Sequence, residues 1–405
     1  MSASASKSYT IRGLMCASLA NGDSRIINPL VSDDTQAAAE VLGQVGVSID
    51  KEEDWWRVKG GSWHQPQGEL FCHDSAATLR FMTAIASLIP GKCRLTSGSS
   101  LSRRPVKPLL DALAQLGVDC YIEDGSVLVH GGKLRGGAVE MRGDISSQFV
   151  SALLFISPLA EAGVTICLAT PPESKPYLEM TLGCLQRFGI EVKAAEDLKR
   201  FDVSKQEYKP ADYEIEGDWS SASYFLALGT ALGQVEVTNL NTESLQGDKI
   251  MLNLLQEMGA RVLVSGGSVM VRRSELKGIT ADLSDCIDLL PTLAVLAALA
   301  EGRSTFSGVG RARLKESNRV MAVRGGLERM GIPVIEEEDR MIISGAPPKG
   351  AEIDSFGDHR IAMAFSVLGS VAGDTVITGA ECVAKTYPKF WRVFESLGGK
   401  VKIDV

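Results

Sequence analysis

A chain of 405 residues with 45% apolar and 23% charged side chains can build packed cores and is long enough for two or three domains. Its 50 acidic and 42 basic side chains leave a net charge of −8, which speaks against a nucleic-acid or anionic-membrane binder. A small anion held in a local basic pocket stays compatible with that balance. The eight cysteines include no C-x-x-C pair and the four histidines are scattered. Reduced, buried thiols in a cytoplasmic protein are therefore expected, with no disulfide framework and no metal site.

The opening stretch MSASASKSYTIRGLMCASLANG holds an apolar segment, Leu14 to Ala20, that is too short and mixed for a secretory signal. The most apolar run, Leu289 to Ala300, contains Pro291 and is too short to span a bilayer. No membrane association is expected.

Taken in chain order, the elements repeat. An amphipathic helix ending in glycine and followed by a strand reads LGQVGVSI, LAQLGVDC, LQRFGIEV, LQEMGARV, LERMGIPV and FESLGGKV. The glycines are Gly46, Gly117, Gly189, Gly259, Gly331 and Gly398, at intervals of 71, 72, 70, 72 and 67. Glycine just past a helix accepts the left-handed cap conformation, and the residues after it favour a strand. An Ala/Leu-rich helix closes at Gly22, Gly91, Gly163, Gly233, Gly302 and Gly373, at intervals of 69, 72, 70, 69 and 71. Two such ladders predict six copies of a unit of about 70 residues, each with two helices and several short strands. Three copies per domain give two similar α/β domains that part near residue 215, in SKQEYKPADYEIEGD.

The second helix type begins six times: SASKSYTIRGL, CHDSAATLRFM, GDISSQFVSAL, GDWSSASYFLA, SDCIDLLPTLA and FGDHRIAMAF. Each start carries Asp or Ser, whose oxygen can satisfy the orphan backbone N–H groups. Capping does not account for Lys7, Arg12, Arg80 or Arg360, because cations near a helix N-terminus oppose its dipole. Their presence is reasonable if the starts converge on anionic groups, which helix N-termini also attract.

SKSYTIR, GDISSQF, SKPY, EGDWSSASYFLA, RLKESNR, DHRIAMAF and AKTYP, in this order from Ser6 to about Gly398, resemble the family of 5-enolpyruvylshikimate-3-phosphate synthases. The resemblance implies an α/β fold of two similar domains, each of three repeated β-α-β-α-β-β units, the inside-out α/β barrel of enolpyruvyl transferases. It implies an N-terminal domain over 6–215, mainly for shikimate 3-phosphate, and a C-terminal domain over 216–405, with residues 1–5 adding to it. The active site is expected in the interdomain cleft. The implied reaction moves the enolpyruvyl group of phosphoenolpyruvate onto the 5-hydroxyl of shikimate 3-phosphate. No metal, no organic cofactor and no partner beyond these two small molecules is implied, and a monomer is expected.

Residue by residue, Lys7, Ser8 and Arg12 match the first contacts to shikimate 3-phosphate, with Lys7 also touching phosphoenolpyruvate. Ser146, Ser147 and Gln148 match the clamp on the 3-phosphate and ring hydroxyls, completed by Ser174 and Tyr177; Gln148 also borders phosphoenolpyruvate. Arg104, Arg319, Arg360 and Lys385 match the phosphoenolpyruvate cradle, where guanidinium forks suit carboxylate and phosphate. Asp288 and Glu316 match the carboxylates nearest the chemistry, flanked by Lys315. The acid/base roles among Lys7, Asp288, Glu316 and Lys385 stay open at this stage. His359 fits a capping or supporting role beside Arg360 at least as well as proton transfer.

Three departures from the family pattern stand out. HDSAATLR replaces G-N-x-G-T-x-x-R, putting Asp74 for an Asn and Ala76 for a Gly. In the family, Ala at that position crowds the space taken by the inhibitor glyphosate, so low glyphosate sensitivity is expected. Arg311 stands where many members carry an Asn near the 3-phosphate. Only MSASA precedes SKS, where members have a longer strand that joins the C-terminal domain; that edge is left empty or the chain pairs differently. The competing readings are a UDP-N-acetylglucosamine enolpyruvyl transferase, a non-catalytic anion-binding relative and a Rossmann-type nucleotide enzyme. SSQF, SKPY and DHRIAM argue against the first, and the filled catalytic positions against the second. For the third, SGVGRARLKE has no third glycine in register.

Overall fold

The structure, a computed structural model, describes residues 1–99, 101–102 and 104–402. Contacts divide the chain into two compact units. One runs from Ala5 to Ile215; the other joins Met1–Ser4 to the chain from Glu216 onward.

In the Ala5–Ile215 unit the sheets follow one plan. Leu70–Phe71 lies parallel to Gly91–Thr96, which pairs antiparallel with Ser126–Gly131 and through it with Asp119–Glu123. The helices Ala76–Ile85 and Lys107–Gln115 fall between these strands in chain order, so one copy reads β-α-β-α-β-β. The same plan puts Gly137–Met141 parallel to Val164–Leu168, with Arg200–Val203 and Lys193–Ala194 beyond. Around Gly22–Ile27 it recurs with one change. The parallel strand there, Asp212–Glu214, comes from the other end of the unit, inside the segment the sequence marks as a boundary.

The other unit repeats the plan in full once and in part twice among the described residues. Thr280–Asp282 runs parallel to Arg303–Ser307, followed by Arg340–Ser344 and Val334–Glu336. Glu352–Asp354 runs parallel to Val376–Thr378. The sheet Gln234–Val237, Ser268–Arg272 and Arg261–Ser265 receives its parallel neighbour from the first residues of the chain. Ser2 bridges Thr238; Ala3 N donates to the Thr238 carbonyl at 2.9 Å, and Thr238 N to that of Met1 at 2.9 Å. The short segment before SKS therefore pairs with this sheet.

The two helix types bury differently. Lys107–Gln115 buries Leu109, Leu110, Ala112 and Leu113 and exposes Lys107, Asp111 and Gln115, the one-sided stripe of a covering helix. Leu290–Leu299 buries every residue from Leu290 to Ala298, as a helix apolar on all sides must. It packs with Trp219–Leu232 and His359–Ala372 at the centre of its unit, where the Ser223 and Thr292 hydroxyls meet at 3.0 Å. Ala76–Ile85 and Ser147–Ile156 pack likewise, with Phe81 edge-on to Phe155 at 5.0 Å. None of the described helices is long and apolar enough to cross a membrane.

All six glycines of the first ladder take φ between +79° and +109°, the left-handed region that only glycine enters without a Cβ clash. Five of the six inner starts are capped by side chains: Ser6, Ser75, Ser146, Asp218 and Asp358. The fifth start differs from the expected cap. SDCIDLLPTLA enters through a 3-10 turn, Ile287–Leu289, without a side-chain cap, and Pro291, at the first turn of the helix, has no N–H to satisfy.

Candidate active site

In the Ala5–Ile215 unit the helix starts gather buried cations and hydroxyls. Lys7 Nζ sits 2.8 Å from the Asp34 carboxylate, from the adjacent Asp33–Gln44 helix. Arg12 lies one turn on, buried, its Nε donating to Thr181 Oγ1 at 2.9 Å. Its two other nitrogens donate to the carbonyls of Ser8 at 3.0 Å and Tyr177 at 3.2 Å. The guanidinium lies 5.6 Å from the ring centres of both Tyr177 and Phe81. Burial pulls the Arg12 pKa below its ordinary value, and Tyr177 is the first group to counter it.

Ser146 caps the next helix start by accepting from Gln148 N at 3.3 Å, and Ser147 is buried behind it. Ser174 is buried and held left-handed at φ 52°, where it opens the Lys175–Arg187 helix that carries Tyr177 and Thr181. Ala76 is the first residue of its helix, directly after the cap Ser75. Asp74 approaches Gly98 so closely that a Cβ there would meet its carboxylate oxygen at 2.5 Å. Leu101 N donates to the Gly98 carbonyl at 3.1 Å and Arg104 N to the Leu101 carbonyl at 2.9 Å, and Arg104 is half-buried.

In the other unit the centre is Arg319, 1% exposed and surrounded by carboxylates. Its Nε donates to Asp358 at 2.8 Å, Nη1 to Asp288 at 2.6 Å and Nη2 to Glu316 at 2.5 Å. Asp288 also meets Lys315 and Arg360, each at 3.4 Å. Burial pushes the Asp288 carboxyl up, but Arg360, Lys315 and Arg319 outweigh it and hold the group well below the usual carboxylate range. Burial lowers the Lys315 pKa, and Asp288 works against that. For Arg319, burial again opposes the charge, while Asp358, Glu316 and Asp288 raise its pKa beyond the ordinary value. Asp358 also caps its helix through Arg360 N at 3.0 Å and accepts from Ser317 Oγ at 3.0 Å. His359 is buried at the first position of that helix, and the cap is Asp358.

Arg360 reaches Tyr224 Oη at 3.4 Å, tying two inner helices together. Arg311 donates to the Ser284 carbonyl at 2.9 Å from the 3-10 turn Gly310–Leu314. Lys385, half-buried, ends the Ala380–Lys385 turn that packs on the His359–Ala372 helix. Asp288, Lys315, Glu316, Arg319 and Arg360 therefore form one network, while Arg12, Ser8 and Tyr177 form another.

Sequence reasoning left out several participants, among them Asp34, Thr181, Tyr224, Asp248 and Asp358. Asp248 is a buried carboxyl hydrogen-bonded by Ser220 Oγ. Burial and the nearby Asp288 push its pKa up to about 7, against the pull of Arg360. No spacing rule links QGD to a helix start 28 residues earlier, so only tertiary contact reveals it.

Two units of repeated strand-and-helix copies, the last of them reduced among the described residues to the parallel pair Glu352–Asp354 and Val376–Thr378, have the architecture of the enolpyruvyl transferase class. The enolpyruvyl transferase NikO from Streptomyces tendae shares the fold, with a TM-score of 0.78 at 20% identity over 99% of this chain and 95% of that one. EPSP synthase from Acinetobacter baumannii superposes with a TM-score of 0.84 at 25% identity, covering 100% of this chain and 96% of that one. Residues 1–394 match the EPSP synthase (3-phosphoshikimate 1-carboxyvinyltransferase) family, and the chain belongs to it. A 3-phosphoshikimate 1-carboxyvinyltransferase of Dehalococcoides mccartyi is 53% identical over 99% of this chain and 96% of its own length. The protein of that name from Methanocaldococcus jannaschii is 41% identical over 98% of this chain and 95% of its own.

Proposed function

We propose that the chain transfers the enolpyruvyl group of phosphoenolpyruvate to the 5-hydroxyl of shikimate 3-phosphate. The hydroxyl oxygen adds to C2 of phosphoenolpyruvate while C3 gains a proton, giving a tetrahedral intermediate. Loss of a proton from the new methyl group and of phosphate from C2 then restores the double bond. The observation that carries the reading is Asp288, a buried carboxylate held ionised among Arg319, Lys315 and Arg360. Such a group can accept a hydrogen bond from the attacking hydroxyl, and the cations around it can stabilise charge on phosphate as it leaves.

In this reading Lys7, Ser8, Arg12, Ser146, Ser147, Gln148, Ser174, Tyr177, Arg311 and Lys315 hold shikimate 3-phosphate. Arg104, Arg319, Arg360 and Lys385 hold phosphoenolpyruvate, bordered by Lys7, Ala76 and Gln148. Lys7, Asp288, Glu316 and Lys385 share the proton transfers. The enzyme acts as a cytoplasmic monomer; eight free cysteines, five of them buried, accord with a reducing compartment.

The test is phosphate release from phosphoenolpyruvate by the purified protein with and without shikimate 3-phosphate. Release that requires shikimate 3-phosphate supports the reading; none, with shikimate 3-phosphate bound, makes the chain a non-catalytic relative. In the same assay, glyphosate should inhibit the wild type weakly and Ala76→Gly at least about tenfold more strongly, since one methyl in a tight pocket changes binding by that order. Equal inhibition constants would remove Ala76 as the cause of tolerance.

A further inference from the structure

The Ala76–Ile85 helix carries a cation to which the reaction above gives no role. Arg80 is 4% exposed, and its guanidinium lies over the Phe149 ring at 4.8 Å. One nitrogen, Nη1, donates to Gln148 Oε1 at 2.7 Å and to Ser146 Oγ at 3.3 Å; the other, Nη2, donates to the Pro105 carbonyl at 3.2 Å. Arg80 thus joins two clamp residues to the backbone immediately after Arg104.

These contacts have a chemical consequence for what the clamp can bind. Guanidinium offers donors only, so the Gln148 amide must turn its oxygen toward Arg80 and leave its NH2 facing away. Ser146 Oγ accepts from Arg80 and from Gln148 N, which leaves its hydroxyl hydrogen to give. Both side chains are thereby set as donors. A donor clamp matches phosphate, carboxylate and ether oxygens, which accept and cannot give. Without Arg80, the amide could present either end.

We infer that Arg80 is a positioning residue, which fixes the Gln148 amide and the Ser146 hydroxyl as donors toward the oxygens of the bound substrates. The inference rests on the proposed function, because it assumes that Ser146 and Gln148 face those substrates.

A double-variant cycle tests it. Arg80→Met keeps an unbranched stem over Phe149 and removes every donor; Arg80→Lys restores a single charged donor nitrogen. In the wild-type background, Arg80→Met should lower kcat/KM on the order of 10- to 100-fold, the range for lost charge-assisted hydrogen bonds. Arg80→Lys should recover part of that loss. In a Gln148→Ala background the same Arg80→Met change should cost less than about threefold, since most of its effect passes through the amide. Shikimate 3-phosphate affinity by calorimetry should follow the same non-additive pattern. Near-UV circular dichroism checks that each variant is folded, and if Arg80→Met is not, Arg80→Lys in both backgrounds gives the same cycle. Additive losses, or losses matched by unfolding alone, overturn the inference while wild-type turnover stands. A wild type that neither binds shikimate 3-phosphate nor turns over overturns the proposed function, and this inference with it.

Discussion

Arg319 shows how much charge one buried side chain can hold in place. It touches Asp288, Glu316 and Asp358, and removing it would leave three poorly hydrated carboxylates facing one another. Breaking a buried ion pair on one side costs about 3–5 kcal/mol. Arg319→Met should therefore lower unfolding stability by at least about that amount in urea titrations; a loss below about 1 kcal/mol would mean that water reaches the carboxylates in the folded state. Asp248 behaves in the opposite sense. Folded, its pKa is about 7; the ordinary value is 3.8. Between those values the folded chain holds a proton that the unfolded chain releases, so this group's contribution to stability falls as pH rises from about 4 to about 7. Asp248→Asn should remove that slope. The melting temperature of the variant should gain on that of the wild type across this window and keep a constant lead above it. Parallel curves from pH 4 to 8 would contradict the raised pKa. The sequence displays the Arg319 motif in KESNR, but neither position announces its burial.

At the scale of elements, the glycine ladders were legible because a helix followed by an immediate strand leaves one residue to turn the backbone, and that residue recurs. Gly331 and Gly325 separate the two uses of glycine. Gly331, just past the Arg319–Arg329 helix, holds φ +82°, where a Cβ is strained although only the Lys349 side chain comes within 4 Å of it. Gly325 lies inside the helix with nothing within 4 Å of an added Cβ. Gly325→Ala should stabilise by about 0.4–1 kcal/mol and Gly331→Ala should destabilise by about 1 kcal/mol or more. Chemical denaturation of the two variants measures this, and a shared sign would refute the assignment. The fifth inner start defeated the capping rule for a readable reason. Asp288, one of two acidic residues there, accepts from Arg319 in place of the backbone, and a 3-10 turn with Pro291 removes the need for a cap. The N-terminal edge was left open by the sequence, because a single bridge at Ser2 has no periodicity to detect.

At the scale of the whole molecule, the charged helix starts are shared between two units, and the proposed roles divide with them. Arg12→Ala and Ser147→Ala, in the Ala5–Ile215 unit, should weaken shikimate 3-phosphate binding by about tenfold or more and change phosphoenolpyruvate binding less. Arg360→Ala and Lys385→Ala, in the other unit, should do the reverse. Calorimetry with each ligand checks the division, and equal losses in all four variants would overturn it. The sequence by itself determined the sixfold repeat, the helix starts and the family, because periodicity, glycine placement and short ordered motifs are local properties of a chain. Only the tertiary structure decided which charges meet. It joined Asp358 to Arg319 across 39 residues, Arg12 to Thr181 across 169, and the strand Asp212–Glu214 to Gly22–Ile27. Those pairings depend on which helix ends are brought together when apolar faces bury, and the strength of each depends on the water that burial removes.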